Sequence, residues 1–290
     1  MKTSRHATPV AAEASGSFGL GDLEVYRLGF GAMRITGEGV WGEPDDPEKA
    51  KRLLRRVLEL GVNLIDTADT YGPEVSERLI AEALRPYPKG LVIATKGGST
   101  RPDRGWEADG RPEHLREACE GSLERLGLET IDLYQLHTVD PDVPLEESVG
   151  ALKDLQDEGK VRHVGLSNVS VAELEVARGI VDVVSVQNRY SLADRGSEDV
   201  LERCEELAMG FIPWFPLAAG KLTAERSALT EVARAHEATP AQIALAWLLD
   251  RSPVMLPIPG TSSAEHLEEN VAAASIELSE EEFERLARLR

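Results

Sequence analysis

The sequence predicts one closed (β/α)8 barrel, a single TIM barrel of the α/β class. Eight short apolar runs, typical of strands buried on both faces, are separated by stretches with the periodicity of helices. No break in composition divides the 290 residues, and a barrel of this type occupies about 250. A doubly wound sheet is the alternative fold. It is disfavoured because the first predicted strand is not followed by a Gly-x-Gly-x-x-Gly sequence.

The N-terminal part predicts a flexible tail over residues 1–16, followed by the barrel domain over residues 17–290. The tail is polar and rich in small residues, and it lacks the apolar segment of a secretory leader. Apolar and polar residues alternate over residues 18–33, with glycines between them, and this pattern predicts a β-hairpin and then the first barrel strand.

The strands and helices alternate regularly along the rest of the chain. The predicted strands begin near Gly29, Val62, Leu91, Thr130, Val161, Val181, Gly210 and Val254. Helical periodicity covers residues 47–60, 74–84, 112–126, 145–158, about 199–208 and a region within 224–250. Capping-box pairs predict four further helix starts, namely Ser170 with Glu173, Thr239 with Gln242, Ser262 with Glu265, and Ser279 with Glu282. The last pair begins a short C-terminal helix.

Composition limits the classes of partner. The chain has 32 Lys and Arg against 51 Asp and Glu, a net charge of −19. Such an acidic surface repels phosphate backbones, so we expect neither nucleic acid nor an anionic membrane as a partner. No apolar run is long enough to span a bilayer, and no cysteine, histidine and carboxylate spacing indicates a metal site. The sequence does not decide between a monomer and an oligomer.

The two cysteines, Cys119 and Cys204, lie in predicted amphipathic helices without a partner at metal-binding or redox spacing. We expect both to be buried core residues. Free cysteines of this kind are typical of a reducing compartment, and we therefore predict a cytoplasmic protein.

Polar residues stand where the strands of the predicted barrel end, which is where active sites of such barrels lie. Asp66 follows the second strand, Lys96 the third and His137 the fourth. Asp66 and Lys96 are expected to pair, because an isolated charge in an apolar barrel mouth is very costly. An ammonium beside Tyr71 would lower the pKa of the phenol from about 10, which makes Tyr71 a candidate proton donor. His137 is then a candidate for holding a substrate oxygen.

With these motifs, the chain resembles the aldo-keto reductase superfamily over nearly its whole length. The resemblance rests on residues 29–33 (GFGAM), 66–72 (DTADTYG), 94–96 (ATK), 132–137 (DLYQLH), 165–168 (GLSN) and 258–260 (IPG). It implies an oxidoreductase that reduces aldehydes or ketones to alcohols by hydride transfer from NADPH, with NADH as the alternative cofactor. The implied catalytic residues are Asp66, Tyr71, Lys96 and His137. Residues 31–42 and 258–263 are similar to a bacterial subgroup that includes pyridoxal reductases, so pyridoxal and small reactive aldehydes are the candidate substrates.

The resemblance also implies a set of cofactor contacts at the barrel mouth. They are Gly31, Ala32, Met33, Ser167, Asn168, Gln187, Trp214, Pro216, Leu217, Gly220, Lys221, Gly260, Thr261, Ser262, His266 and Asn270. Ser167, Asn168 and Gln187 match carboxamide-binding positions. Trp214 matches the position of an aromatic ring that stacks on the nicotinamide. His266 stands where many NADPH-specific members have an arginine for the 2′-phosphate, so the preference for NADPH depends on other contacts.

Two other functional classes stay open on the sequence. A sensor protein that holds NADPH with little turnover would keep the same four polar residues. A barrel aldolase would use Lys96 to form a Schiff base, although a neighbouring Asp66 would hold that amine protonated.

Overall fold

Parallel strands curl around one axis, and helices cover the outside of the sheet. The computed structural model describes residues 11–217 and 227–289. The strands are β1 (Ser17–Leu20), β2 (Leu23–Tyr26), β3 (Phe30–Gly31), β4 (Leu64–Asp66), β5 (Val92–Gly97), β6 (Ser99–Thr100), β7 (Glu107–Ala108), β8 (Ile131–Leu136), β9 (Val161–Ser167), β10 (Val183–Arg189) and β11 (Gly210–Trp214). The helices are α1 (Pro47–Glu59), α2 (Val75–Leu84), α3 (Pro112–Leu126), α4 (Leu145–Asp157), α5 (Val171–Arg178), α6 (Glu198–Glu206), α7 (Ser227–Ala235), α8 (Pro240–Arg251), α9 (Ala264–Ala272) and α10 (Glu280–Ala287).

Seven of the strands form one parallel sheet in the order β3, β4, β5, β8, β9, β10, β11. Residues 254–258 occupy the eighth place between its two edges. The Phe211 N–H donates to the Val254 carbonyl at 2.8 Å, and on the other edge the Gly29 N–H donates to the Pro257 carbonyl at 2.9 Å. Prolines cannot donate to a ladder, which explains why this segment is hydrogen bonded without forming a regular strand. The predicted (β/α)8 barrel is confirmed.

The predicted hairpin is formed by β1 and β2, and it covers the amino ends of the barrel strands. Leu20 and Val25 are fully buried in a cluster with Leu64, Ile212 and Leu256. Burying apolar side chains at this end closes the barrel interior to water. The carboxyl ends of the strands therefore form the open mouth.

The N-terminal boundary differs from the prediction. Residues 12–15 form a turn of 3₁₀-helix in which Ala12 and Ser15 are buried. The Ala12 N–H donates to the Leu60 carbonyl at 2.9 Å, and the Ser15 hydroxyl accepts from the Leu28 N–H at 3.0 Å. These contacts attach residues 12–15 to the barrel, so they do not belong to a flexible tail as predicted.

Three of the four capping boxes are confirmed, and one is wrong by a residue. The boxes headed by Ser170, Thr239 and Ser279 begin α5, α8 and α10 with both hydrogen bonds present. At α9 the cap is instead Ser263, whose hydroxyl accepts from the His266 N–H. The predicted Ser262 lies outside the helix, because the chain is still extended at Ser263 (φ −111°, ψ 130°).

Both cysteines are confirmed as buried core residues. Cys119 on α3 and Cys204 on α6 are free thiols in the largest hydrophobic cluster. Burial raises the pKa of each thiol to about 12, which keeps both of them protonated. None of the helices described within residues 11–217 and 227–289 is long and apolar enough to cross a membrane.

Candidate active site

The four predicted catalytic residues meet at the mouth of the barrel. Asp66 ends β4 and Lys96 lies near the end of the neighbouring strand β5, while His137 directly follows β8. Tyr71 stands in the turn after β4, where its N–H donates to the Ala68 carbonyl at 3.2 Å. Three adjacent strands therefore deliver the side chains to one place, as the strand order requires.

Lys96 is fully buried and has three oxygen partners. Its Nζ lies 2.7 Å from Oδ2 of Asp66, 2.7 Å from the carbonyl of Thr67 and 3.4 Å from the hydroxyl of Tyr71. Burial acts to lower the pKa of Lys96, but the negative charge of Asp66 and the contacts with Asp66 and Tyr71 raise it, and the net pKa lies above the usual value for lysine. Lys96 is therefore a charged ammonium.

The second oxygen of Asp66 is held by two amides. Its Oδ1 accepts hydrogen bonds from Nε2 of Gln135 at 3.1 Å and from Nε2 of Gln187 at 2.8 Å. Sequence reasoning did not assign Gln135 a role, although a glutamine within an otherwise apolar strand was a visible signal. The structure shows that its side chain is fully buried. Gln187, predicted as a cofactor contact, lines the cavity and also orients Asp66.

Tyr71 differs from the prediction in the direction of its pKa. Burial raises the pKa of the phenol, and this effect outweighs the positive charge of Lys96, which lowers it. The sequence indicated the neighbouring charge but not how completely the ring is enclosed. Tyr71 is therefore a protonated phenol at neutral pH.

His137 faces Tyr71 across the cavity, with ring centroids 6.0 Å apart at an interplanar angle of 79°. Burial, with a smaller contribution from Lys96, lowers the pKa of His137 to about 3. The sequence left its charge undecided, and the lowered pKa keeps the imidazole neutral near pH 7. A neutral ring carries one N–H donor, which can point at an oxygen in the cavity.

A cavity of about 350 Å³ opens above these residues, within the usual range for small-molecule sites. The predicted residues that line it are Gly31, Met33, Asp66, Tyr71, His137, Ser167, Asn168, Gln187, Trp214, Pro216, Leu217 and Gly260. Lining residues that the prediction did not assign are Arg34, Trp106, Thr138, Phe215, Ile258 and Pro259. Lys96 does not line the cavity itself, but it contacts the lining residues Asp66 and Tyr71.

Of the remaining predicted cofactor contacts, those that the structure describes do not line the cavity. Ala32 is buried in the turn after β3, and Thr261, Ser262, His266 and Asn270 lie on the segment that leads from Gly260 into α9. Ser262 and His266 are exposed, whereas Thr261 and Asn270 are buried. Gly220 and Lys221 lie outside the described residues.

Trp214 is held as a platform at the end of β11. Its Nε1–H donates to Oδ1 of Asn168 at 2.9 Å, and the Asn168 amide donates in turn to the His137 carbonyl at 3.0 Å. The ring also contacts the Phe215 ring, with centroids 5.2 Å apart, and lies 5.7 Å from the guanidinium of Arg189. Asn168 and Phe215 have φ values of +58° and +56°, which are uncommon for residues other than glycine.

The cavity fits a flat ring that carries a carboxamide. At its base the backbone is tightly packed, since a Cβ on Gly31 would lie 2.6 Å from the Ile258 carbonyl and one on Gly260 would lie 2.7 Å from the Gly31 carbonyl. Glycine at both positions lets the end of β3 and residues 258–260 pack closely against each other at the base of the cavity. The amide and hydroxyl groups of Asn168, Ser167 and Gln187 supply donors and acceptors around it. A nicotinamide has this combination of a flat face and a carboxamide.

Comparison with known proteins decides the family. The sequence model of the aldo/keto reductase family matches residues 27–290. The chain belongs to this family. As a member of the aldo/keto reductases, it is an NAD(P)H-dependent oxidoreductase that acts on carbonyl or alcohol groups.

Relatives of this aldo/keto reductase span nearly the whole chain. An uncharacterized oxidoreductase of Schizosaccharomyces pombe is 50% identical over 99% of this chain and 94% of its own length. Pyridoxine 4-dehydrogenase of Escherichia coli is 44% identical over 92% of this chain and 96% of its own. Among solved structures, an aldo-keto reductase from Klebsiella pneumoniae in complex with NADPH superposes with a TM-score of 0.79 at 32% identity, covering 92% and 91% of the two chains.

Proposed function

We propose that the protein reduces aldehydes and ketones to alcohols with NADPH, and that Tyr71 is the proton donor. The observation that carries the proposal is the phenol of Tyr71, protonated and 3.4 Å from the charged Nζ of Lys96. Bound NADPH would supply a hydride to the carbonyl carbon. The alkoxide that forms then needs a proton, and Tyr71 is the donor within the cavity.

Each of the four residues has a distinct task in this reaction. Tyr71 gives its proton to the substrate oxygen, and the ammonium of Lys96 stabilises the phenolate that is left. Asp66 holds Lys96 charged and in place at 2.7 Å. His137, as a neutral imidazole, donates a hydrogen bond to the carbonyl oxygen and orients it towards Tyr71.

The proposal of NADPH is supported by the Klebsiella pneumoniae relative, which was crystallised with NADPH. In this chain Ser167, Asn168 and Gln187 would hold the carboxamide, and Trp214 would stack on the ring. The first turn of α9, capped by Ser263, has amide N–H groups without helical partners, which suit a phosphate of the cofactor.

Pyridoxal and similar small aldehydes are the proposed substrates. The name of pyridoxine 4-dehydrogenase, a relative that is 44% identical to the chain, gives its substrate as pyridoxine, the alcohol that corresponds to pyridoxal. Tyr71, His137 and Trp106 surround the reacting end of the cavity with aromatic rings. Flat rings of this kind favour a flat aromatic substrate.

The charge of Lys96 argues against the aldolase. A Schiff base requires a neutral amine, and the pKa of Lys96 is raised above its usual value. The sensor differs from the reductase only in turnover, so the experiment must measure binding and turnover separately.

The test compares the wild type with Tyr71→Phe. Saturable quenching of protein fluorescence by NADPH would report binding, and loss of NADPH absorbance with pyridoxal or methylglyoxal would report turnover. Tyr71→Phe should lower turnover at least about 100-fold and leave NADPH binding unchanged. Tyr26→Phe, in the hairpin at the opposite end of the barrel, is the matched control and should behave as wild type. NADPH binding by the wild type without turnover of any aldehyde would favour the sensor instead.

A further inference from the structure

We infer that Arg101 positions Trp106 as the wall of the substrate site, and that this wall selects aromatic over aliphatic aldehydes. The inference rests on the proposed reductase activity and names the substrate preference of the same site. It depends on a short hairpin between β5 and α3, which contains none of the four catalytic residues. In this hairpin β6 and β7 pair so that Thr100 faces Glu107. Arg101 and Trp106 are the next residues inward and stand at the base of the loop.

Trp106 faces the reacting end of the cavity. Its ring centroid lies 6.3 Å from that of Tyr71 and 5.8 Å from that of His137, with interplanar angles of 78° and 76°. Trp106 is 48% exposed, so part of its ring is uncovered. A carbonyl compound held between Tyr71 and His137 would therefore lie against the indole.

The guanidinium of Arg101 lies over the face of this indole. The carbon at the centre of its guanidinium lies 3.9 Å from the centroid of the Trp106 ring, close enough for a strong cation–π contact. Arg101 is buried, with an exposed fraction of 7%. Within residues 11–217 and 227–289, no carboxylate forms an ion pair with it.

Backbone carbonyls take the place of a carboxylate. The five N–H bonds of the Arg101 side chain are directed at five carbonyls, those of Gly39, Val40, Thr70, Arg104 and Gly105, at distances between 2.7 and 3.4 Å. These carbonyls belong to three loops, namely the loop after β3, the loop after β4 and the loop that joins β6 to β7. One guanidinium therefore fixes the loops relative to each other and to Trp106. Lysine, with three donors and no planar face, could not do this.

The arrangement has a direct consequence for specificity. An aromatic aldehyde can place its ring against three rings that stand roughly perpendicular to one another, which is the preferred geometry for aromatic pairs. An aliphatic aldehyde reaches the same Tyr71 and His137 but gains no such contact. Trp106 is therefore a specificity residue, and Arg101 is a positioning residue that acts through it.

The test measures kcat and KM for benzaldehyde and for butanal with NADPH. Trp106→Ala should raise KM for benzaldehyde about tenfold and change KM for butanal less than about twofold, with kcat little changed. Trp106→Phe keeps a ring and should recover most of the benzaldehyde affinity. Arg101→Met should shift the ratio of the two KM values in the direction of Trp106→Ala. Arg104→Met is the control, because Arg104 is exposed in the same loop and contacts Trp41.

Each outcome decides a part of the inference. Equal changes of both KM values in Trp106→Ala would show that the indole does not select substrates. If the ratio of the two KM values in Arg101→Met equals that of the wild type, the positioning role of Arg101 is wrong. Calorimetric binding of benzyl alcohol and butanol to the NADP-loaded protein repeats the comparison without turnover. If the wild type reduces neither these two aldehydes nor pyridoxal, the proposed function fails, while the ratio of the two alcohol affinities still tests Trp106.

Discussion

Replacing Asp66 with Asn should reveal how strongly the buried charge of Lys96 depends on its carboxylate. In the wild type Lys96 is fully buried, and Asp66, 2.7 Å away, is its carboxylate partner among the described residues. Asn keeps the shape but removes the charge, so the ammonium is left with the Thr67 carbonyl and the Tyr71 hydroxyl. Breaking a buried pair in this way costs about 3–5 kcal/mol. For a chain of this size we expect Tm to fall by roughly 6–20 °C.

The pH dependence of this loss has a definite sign. Without Asp66, burial lowers the pKa of Lys96 in the folded variant below its unfolded value of about 10.4. The unfolded state then binds more protons than the folded state, so the stability of the variant increases as pH rises. In the wild type the pKa of Lys96 is raised, so its stabilising contribution is present below the unfolded pKa and is lost only above it. The difference in the free energy of unfolding between the wild type and Asp66→Asn should therefore become smaller between about pH 7 and pH 9.

Urea unfolding at several pH values, followed by circular dichroism, measures both effects. Asp157→Asn is the matched control, because Asp157 pairs with Lys153 at 2.8 Å on an exposed helix surface and should contribute less than about 1 kcal/mol. The double variant Asp66→Asn with Lys96→Met should recover much of the lost stability, because it removes the unpaired charge. A loss no larger than that of Asp157→Asn, or a deficit that does not change with pH, would refute the reasoning.

Three further predictions follow from the site and its supports. The rate of carbonyl reduction should be nearly constant from about pH 5 to pH 9 and fall above that range, because the pKa of His137 is about 3 and that of Tyr71 is raised above about 10; a pH profile of kcat/KM checks this. Trp214→Phe keeps a ring but loses the hydrogen bond to Asn168, so calorimetry should show Kd for NADPH increased roughly 2- to 12-fold. Thr239→Ala removes the cap of α8 and should cost about 1 kcal/mol in urea unfolding without a change in kcat.

The order of the strands and the residues at their ends could be predicted because both depend on local pattern. Each short apolar run predicts a buried strand, and a parallel barrel brings the carboxyl ends of all strands to one face. Asp66, Lys96 and His137 could therefore be placed together from the order of residues alone. The capping boxes at Ser170, Thr239 and Ser279 were predictable for the same reason, since each involves only four consecutive residues.

Predictions failed where the result depends on packing between distant segments. Ser262 has a capping-box glutamate, Glu265, at the third following position and Ser263 does not, but the extended backbone at Ser263 makes Ser263 the cap. Gln135 is 69 residues from Asp66, and its amide reaches the carboxylate only because β4, β5 and β8 are neighbours. The sequence therefore contained both residues but did not indicate that they form a hydrogen bond.

The sequence by itself determined the barrel, its family and the four side chains at its mouth, because periodicity and strand-end position are local properties. Only the tertiary structure decided their electrostatics and their surroundings. Burial, which no single segment specifies, reverses the expected direction of the Tyr71 pKa and keeps His137 neutral. The contact of Arg101 with three loops likewise depends on how those loops meet, and this packing brings Trp106 to the active site.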